Sequence, residues 1–330
     1  MSRVEQFLLG SGHSPAAVHV GLLNNMPDAA LRATELQFAR LLKDASGNLD
    51  VRLRLFSLAS LPRSADMRTR MAGFYDDAAF LEASNIDALI VTGVSPVTDD
   101  LRTAPYWSEL AQVIDWAETG TLSTLFSGPA AHAAVLHLDG IRPRRLPAKL
   151  AGVYACARAE DDPLFFNSAP SVPVPHARRY NLAESDLTAM GYRVLSRLVT
   201  ENAQEGQIDI FTREPAGRSR FVFLQGHPEY DPGTLGRSYL NDMDYFLSGE
   251  TSERPPIPEH YFDRATENRL ADIKGDAGLA PYQQVVLNAL PRQVWHPHTV
   301  RLIGNWLMLV AAAKDRRMAS KAVPVRRRAS

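Results

Sequence analysis

His227 and Glu229 stand two residues apart in the turn Gly226-His227-Pro228-Glu229-Tyr230-Asp231, which closes the apolar run Phe221–Gln225. A neutral imidazole presented at a strand end can take up and return a proton near neutral pH. A carboxylate on its second nitrogen would fix the tautomer and stabilise the imidazolium, as the third member of a catalytic triad does. The same pair also occurs as ordinary turn residues, so chemistry requires a further group from elsewhere in the chain.

Such a group is sought in Leu125–His132, where a short apolar run enters an alanine-rich, helix-prone stretch through Ser127-Gly128-Pro129. This is the shape of a nucleophile elbow. The strained turn projects one side chain over a helix N-terminus, whose dipole and free N–H groups stabilise an anion. At the tip stands Gly128, which tolerates positive φ and has no side chain. Ser127 is either a nucleophile displaced by one position or a buried, capping hydroxyl. Gly93-Val94-Ser95 is either oxyanion-binding backbone or a plain strand exit, and Lys149 is either an anion ligand or a solvated amine.

No metal site is expected. Nine histidines show no HExxH spacing, Cys156 is the sole cysteine, and no GxxxxGK[ST] or GxGxxG loop occurs. His132 and His137 read as packed helix residues, and Trp295-His296-Pro297-His298 lacks adjacent carboxylates.

The elements that must position these residues alternate in the first half. Ala17–Leu23, Val51–Ser57, Ala88–Thr92 and Leu122–Phe126 have strand length, while Ala29–Lys43, Phe74–Ala83, Pro105–Glu118 and Ala130–Leu138 read as helices. That alternation predicts an α/β three-layer sandwich with a mostly parallel sheet, whose ligands sit beyond the carboxyl ends of the strands. The second half adds strands at Val172–Val174, Tyr192–Leu195, Gln207–Thr212 and Arg220–Gln225, then helices at Thr234–Ser248 and Thr299–Ala313.

In 330 residues, 36 Lys and Arg oppose 37 Asp and Glu, and 45 % are hydrophobic, as in an ordinary globular chain. No run approaches the ~20 apolar residues of a membrane helix, and the start lacks a secretory pattern, so a cytoplasmic protein without membrane partners is expected. Residues 1–14 read as a tail, 15–313 as a single domain and 314–330 as a basic tail. Seven basic residues against one acidic occur there, but no aromatics interleave them. A disordered, solvated terminus is expected, not a nucleic-acid arm.

Seven stretches in order resemble the homoserine O-succinyltransferase family, whose fold is that of the class I glutamine amidotransferases, flavodoxin-like in layering. They are VGLLNNMPDAALRATELQFARLL (20–42), DALIVTGVSPVTDDLRTAPYWSEL (87–110), STLFSGPAAHAAVLHLDGI (123–141), LPAKLAGVY (146–154), VPHARRYN (174–181), QGHPEYDPGTL (225–235) and WHPHTVRLIGNWL (295–307). The resemblance implies acyl transfer from succinyl-CoA, as co-substrate, to the hydroxyl of homoserine, with a homodimer as the assembly and no bound cofactor. In the family an elbow cysteine carries the acyl group while a His–Glu pair, here His227 and Glu229, manages protons. The resemblance also implies substrate contacts at Lys149, at the oxyanion segment Gly93-Val94-Ser95, and at Arg178.

Three positions depart from that pattern. Gly128 replaces the elbow cysteine, and Cys156 lies in another segment. Ala177 replaces a serine that bears on acyl-donor choice. Asn241 replaces the arginine that grips the amino-acid carboxylate, with Arg237 one helical turn earlier as a substitute. An O-acyltransferase, an altered reaction on the same scaffold, and a non-catalytic metabolite-binding paralogue are therefore all consistent with the sequence.

Overall fold

Runs too short and too apolar for surface helices become strands buried along their whole length, as a sheet covered on both faces requires. The computed structural model describes residues 17–93, 100–199, 207–274, 277–289 and 291–322. Its elements begin β1 (Val18–Asn25), α1 (Asp28–Ala45), β2 (Val51–Ser57), α2 (Ala65–Met71), β3 (Tyr75–Asp77), β4 (Ala88–Gly93), α3 (Trp107–Gly120), β5 (Ser123–Ser127) and α4 (Pro129–Asp139). They continue with β6 (Arg144–Arg158), β7 (Ser171–Asn181), α5 (Glu184–Ala189), β8 (Arg193–Leu198), β9 (Ile208–Arg213) and β10 (Arg220–Leu224). The helices α6 (Thr234–Leu247), α7 (Arg264–Ala271), α8 (Ala280–Asn288) and α9 (His296–Ala322) follow.

All ten strands join one sheet in the order β3-β2-β1-β4-β5-β10-β9-β8-β6-β7. The six strands from β3 to β10 run parallel, and the remainder are antiparallel. One face packs Leu23, Val91 and Phe126 against Ile114 of α3 and Ala131, Ala134 and Val135 of α4. On the other, Leu22, Ile90 and Leu125 meet Phe38 and Leu42 of α1 and Ile303, Trp306 and Leu307 of α9. This is the three-layer α/β sandwich that the alternation predicts.

Two expectations are corrected. Phe74–Ala83 is not a helix: Tyr75–Asp77 pairs with β2, and short 3₁₀ turns follow. The Tyr75 hydroxyl accepts from Asn24 Nδ2 (3.1 Å) and donates to Glu35 Oε2 (3.3 Å), which draws this segment against β1. Asp77 then accepts from Ala79 N and starts a turn instead of a longer helix. The last helix does not stop at Ala313, so the expected basic tail is helical as far as Ala322. Lys314 is anchored, donating to Ala17 O (2.6 Å) and Asp87 Oδ2 (2.7 Å). The expected N-terminal tail and residues 323–330 lie outside the described residues.

Candidate active site

Strand β10 is fixed by aromatic packing: Phe223 stacks on Phe211 at 4.6 Å and on Phe126 at 5.2 Å between ring centroids. The strand therefore delivers Gln225-Gly226-His227 to a defined place beyond its carboxyl end. Glycine is required at 226, because a Cβ there would lie 2.5 Å from Val174 Cγ1 and 2.8 Å from Asp209 Oδ1. The His227 N–H donates to Pro175 O at 2.7 Å, and Gln225 N donates to Asp209 O at 2.8 Å. The loop is thus pinned by β7 and by the adjacent strand β9.

Within it, His227 Nδ1 is 2.9 Å from Glu229 Oε1, and the imidazole stacks on Tyr230 at 4.4 Å. Burial leaves His227 only 9 % and Glu229 8 % exposed. With Nδ1 held by the carboxylate, Nε2 is the nitrogen left for chemistry. It faces Gly128: a Cβ built there would stand 3.2 Å from Nε2 and 2.6 Å from Cε1. Gly128 has φ 59° and ψ −124°, and its N–H donates to Leu224 O at 2.8 Å. Strand β5, the strained turn and α4 therefore form an elbow whose tip points at the imidazole.

Two groups that an elbow normally supplies are absent. The tip carries no side chain, and the next residue is Pro129, the first of α4. The backbone N–H after the nucleophile is one of the usual oxyanion donors, and proline has none. The dipeptide Gly128-Pro129 thus removes both nucleophile and donor, a pairing readable in the sequence once the turn is aligned. Ser127 is no substitute: it is 2 % exposed, and its hydroxyl donates to Glu229 Oε1 at 3.4 Å. It supports the carboxylate and is not the displaced nucleophile considered above.

A model of the family described as homoserine O-succinyltransferase matches residues 11–316. The chain belongs to that family. It is 44 % identical over 303 residues to a Rhodopseudomonas palustris protein named homoserine O-succinyltransferase, covering 89 % of each chain. A protein of the same name from Methylorubrum extorquens is 43 % identical over 304 residues, covering 89 % of this chain and 87 % of the relative. Among solved structures, a glutamine amidotransferase from Methylobacillus flagellatus superposes with TM-score 0.47 at 12 % identity, covering 88 % of this chain and 96 % of that one.

The residues that the family resemblance marks for substrate are distributed unevenly. Lys149, on β6, donates to Ser238 Oγ at 3.0 Å and is hydrogen-bonded to Asp242, so its charge is met by α6. Arg237 and Asn241 lie on the same helix, both exposed, and Arg237 donates to Thr234 Oγ1 at 3.0 Å. Arg178 is instead interior: it donates to Asn181 Oδ1 (2.9 Å) and Gln207 Oε1 (3.3 Å), and burial pushes its pKa down to about 10. Both of its terminal nitrogens are thus met by side-chain oxygens of the protein. Gly93 ends β4 with φ 76°, where a Cβ would meet Asn25 C and Met26 N at 2.7 Å. Val94 and Ser95 lie outside the described residues.

One buried group escaped sequence reasoning. Strands β6, β7 and β9 bring together Cys156, His176 and Asp209, with donor atoms all within 4.8 Å. Cys156 Sγ is 3.7 Å, and Asp209 Oδ1 3.4 Å, from the same nitrogen, His176 Nε2. A relay needs thiol and carboxylate on opposite ring nitrogens. Burial pushes the Cys156 thiol far up, so it stays protonated and is no replacement nucleophile. Three donors of these types could hold a metal ion, but Asp209 already accepts from Ser196 Oγ at 2.9 Å and lies beside the Arg178 cation. No spacing pattern could have revealed this cluster, because strand pairing alone assembles it.

Proposed function

We propose that the chain acylates the hydroxyl of homoserine, or of a closely related amino acid, from an acyl-CoA, by direct transfer in a ternary complex. The observation that carries this reading is the dyad His227 Nδ1–Glu229 Oε1 at 2.9 Å, with Nε2 directed at the elbow. His227 Nε2 removes the proton from the amino acid's γ-hydroxyl, and the oxygen attacks the thioester carbonyl. The tetrahedral intermediate then expels the CoA thiolate, which takes the proton from the imidazolium. Glu229 holds the tautomer and the charge of His227 throughout. No acyl-enzyme forms, because position 128 offers no atom to carry one.

A second reading, a non-catalytic paralogue that binds these metabolites, is favoured by the Gly128-Pro129 dipeptide, which lacks both nucleophile and oxyanion donor. One experiment separates the two. The protein is incubated with a panel of acyl-CoAs and hydroxy amino acids, and free CoA is followed. Acceptor-dependent CoA release that His227→Ala abolishes supports transfer. Ligand-induced thermal stabilisation without release supports the binding role.

A further inference from the structure

Asn25, the last residue of β1, is 3 % exposed, and neither its Oδ1 nor its Nδ2 has a hydrogen-bond partner among the described residues. A buried primary amide with every polar atom unmatched is costly and rare in a folded protein. Its neighbour Asn24 forms the usual contrast, donating to Leu31 O at 3.0 Å and to the Tyr75 hydroxyl.

The place of Asn25 in the sheet is specific. Alternation along β1 puts Leu22 on the α1 and α9 face and Leu23 on the α3 and α4 face, so Asn25 shares the face of Leu23. Asn25 pairs with Gly93, and the β4–β5 register aligns Val91 with Phe126. Continued by two residues, that register sets Gly93 level with Gly128. Asn25, Gly93 and the elbow therefore form one row across three adjacent strands, about 10 Å from end to end. The middle residue of that row, Gly93, contributes no side chain to it.

We propose that Asn25 is a binding residue for the amino-acid substrate, its carbonyl accepting from the α-ammonium and its amide donating to the α-carboxylate. A neutral group offering both a donor and an acceptor matches a zwitterionic head, whereas a thioester offers only acceptors. The assignment also supplies recognition where Asn241 leaves no guanidinium. It rests on the homoserine reading for its ligand.

The test compares the full-length protein with Asn25→Leu in two measurements. One is the urea midpoint without ligand, and the other is calorimetric binding of L-homoserine and of succinyl-CoA. The assignment expects an unchanged or raised midpoint, since no native hydrogen bond is lost, with homoserine affinity reduced at least tenfold and succinyl-CoA affinity retained. A lowered midpoint, a variant that does not fold, or homoserine binding within twofold of the parent overturns it in favour of a packing role. If the parent protein binds succinyl-CoA but not homoserine, the Asn25 assignment fails alone. If it binds neither, the acyltransferase reading fails with it.

Discussion

The imidazole of His227 occupies the room that a side chain on Gly128 would need: a Cβ at that glycine would come within 2.6 Å of the His227 ring. The two residues are 99 positions apart in sequence and meet because β5 and β10 are hydrogen-bonded neighbours. The relationship has two consequences. It places the ring nitrogen that Glu229 leaves free over the elbow, and it means that restoring a side chain at 128 obliges the ring to move.

The chemistry can be restored stepwise. Gly128→Cys reintroduces a thiol, at a cost of about 1–3 kcal/mol for a side chain at positive φ. On incubation with succinyl-CoA, a thioester is expected on residue 128, read by mass spectrometry of the digested protein. Adding Pro129→Ala returns an oxyanion donor, and such a donor is worth about 10²–10³ in rate. The double variant should therefore acylate faster than Gly128→Cys by roughly that factor. Equal rates would show that the N–H at 129 does not face the acyl oxygen.

His227 and Glu229 make different contributions. If direct transfer operates, His227→Ala should lower acceptor-dependent CoA release by about 10²–10⁴-fold, the usual worth of a general base. Glu229→Gln keeps the shape but loses the charge that stabilises the imidazolium, so a smaller loss in turnover is expected, with KM for acyl-CoA unchanged. Ser127→Ala should lie nearer the parent than either, because its hydroxyl touches Glu229 and no reacting atom. A Ser127→Ala loss as large as that of His227→Ala would restore the serine as nucleophile.

These roles were unequally legible in the sequence. His227 and Glu229 are two residues apart, and the strand–turn–helix around Gly128 is local, so both could be read without a fold. The direction of the Ser127 hydroxyl could not, since one step along a strained turn reverses a side chain. Strand β6 was missed because Pro147 and Gly152 interrupt its alternation, and the pairing with β7 shifts register between Arg145 and Leu150. Arg178 matched the family's pattern in sequence but lies in the interior, a fact that only the packing of β7 against β6 determines. The Cys156–His176–Asp209 cluster and the unmatched amide of Asn25 are products of sheet order, which no spacing encodes.

Acid should destabilise the fold through its buried histidines. Burial holds His132 at about 4, in contact with Gln225 Oε1 at 3.0 Å, and pushes His176 down as well. The unfolded chain titrates these rings near ~6.5. Between those values the unfolded state binds protons that the folded state refuses, so stability falls as pH drops from about 6.5 towards 4. Above that window these rings contribute nothing to the pH dependence. His132 alone should account for about 2 kcal/mol of loss between pH 7 and pH 5. Urea midpoints for the parent and His132→Gln, which cannot titrate, should converge as pH falls. A parallel pair of curves would place the acid sensitivity elsewhere.

The helical extension beyond Ala313 can be tested by truncation. Lys314 links α9 to the start of β1 through Ala17 O and to Asp87, whose Oδ2 also accepts from the His19 N–H at 2.9 Å. Removing the ammonium leaves a carbonyl and a half-buried carboxylate without their charged donor, a loss of about 1–3 kcal/mol. A chain ending at Ala313 should therefore unfold at lower urea than one ending at Ala322. Lys314→Met in the full chain should reproduce most of the difference, since it keeps the aliphatic stem packed and deletes only the donor. If Lys314→Met unfolds with the parent while the truncation does not, the added stability comes from helix length and not from this anchor.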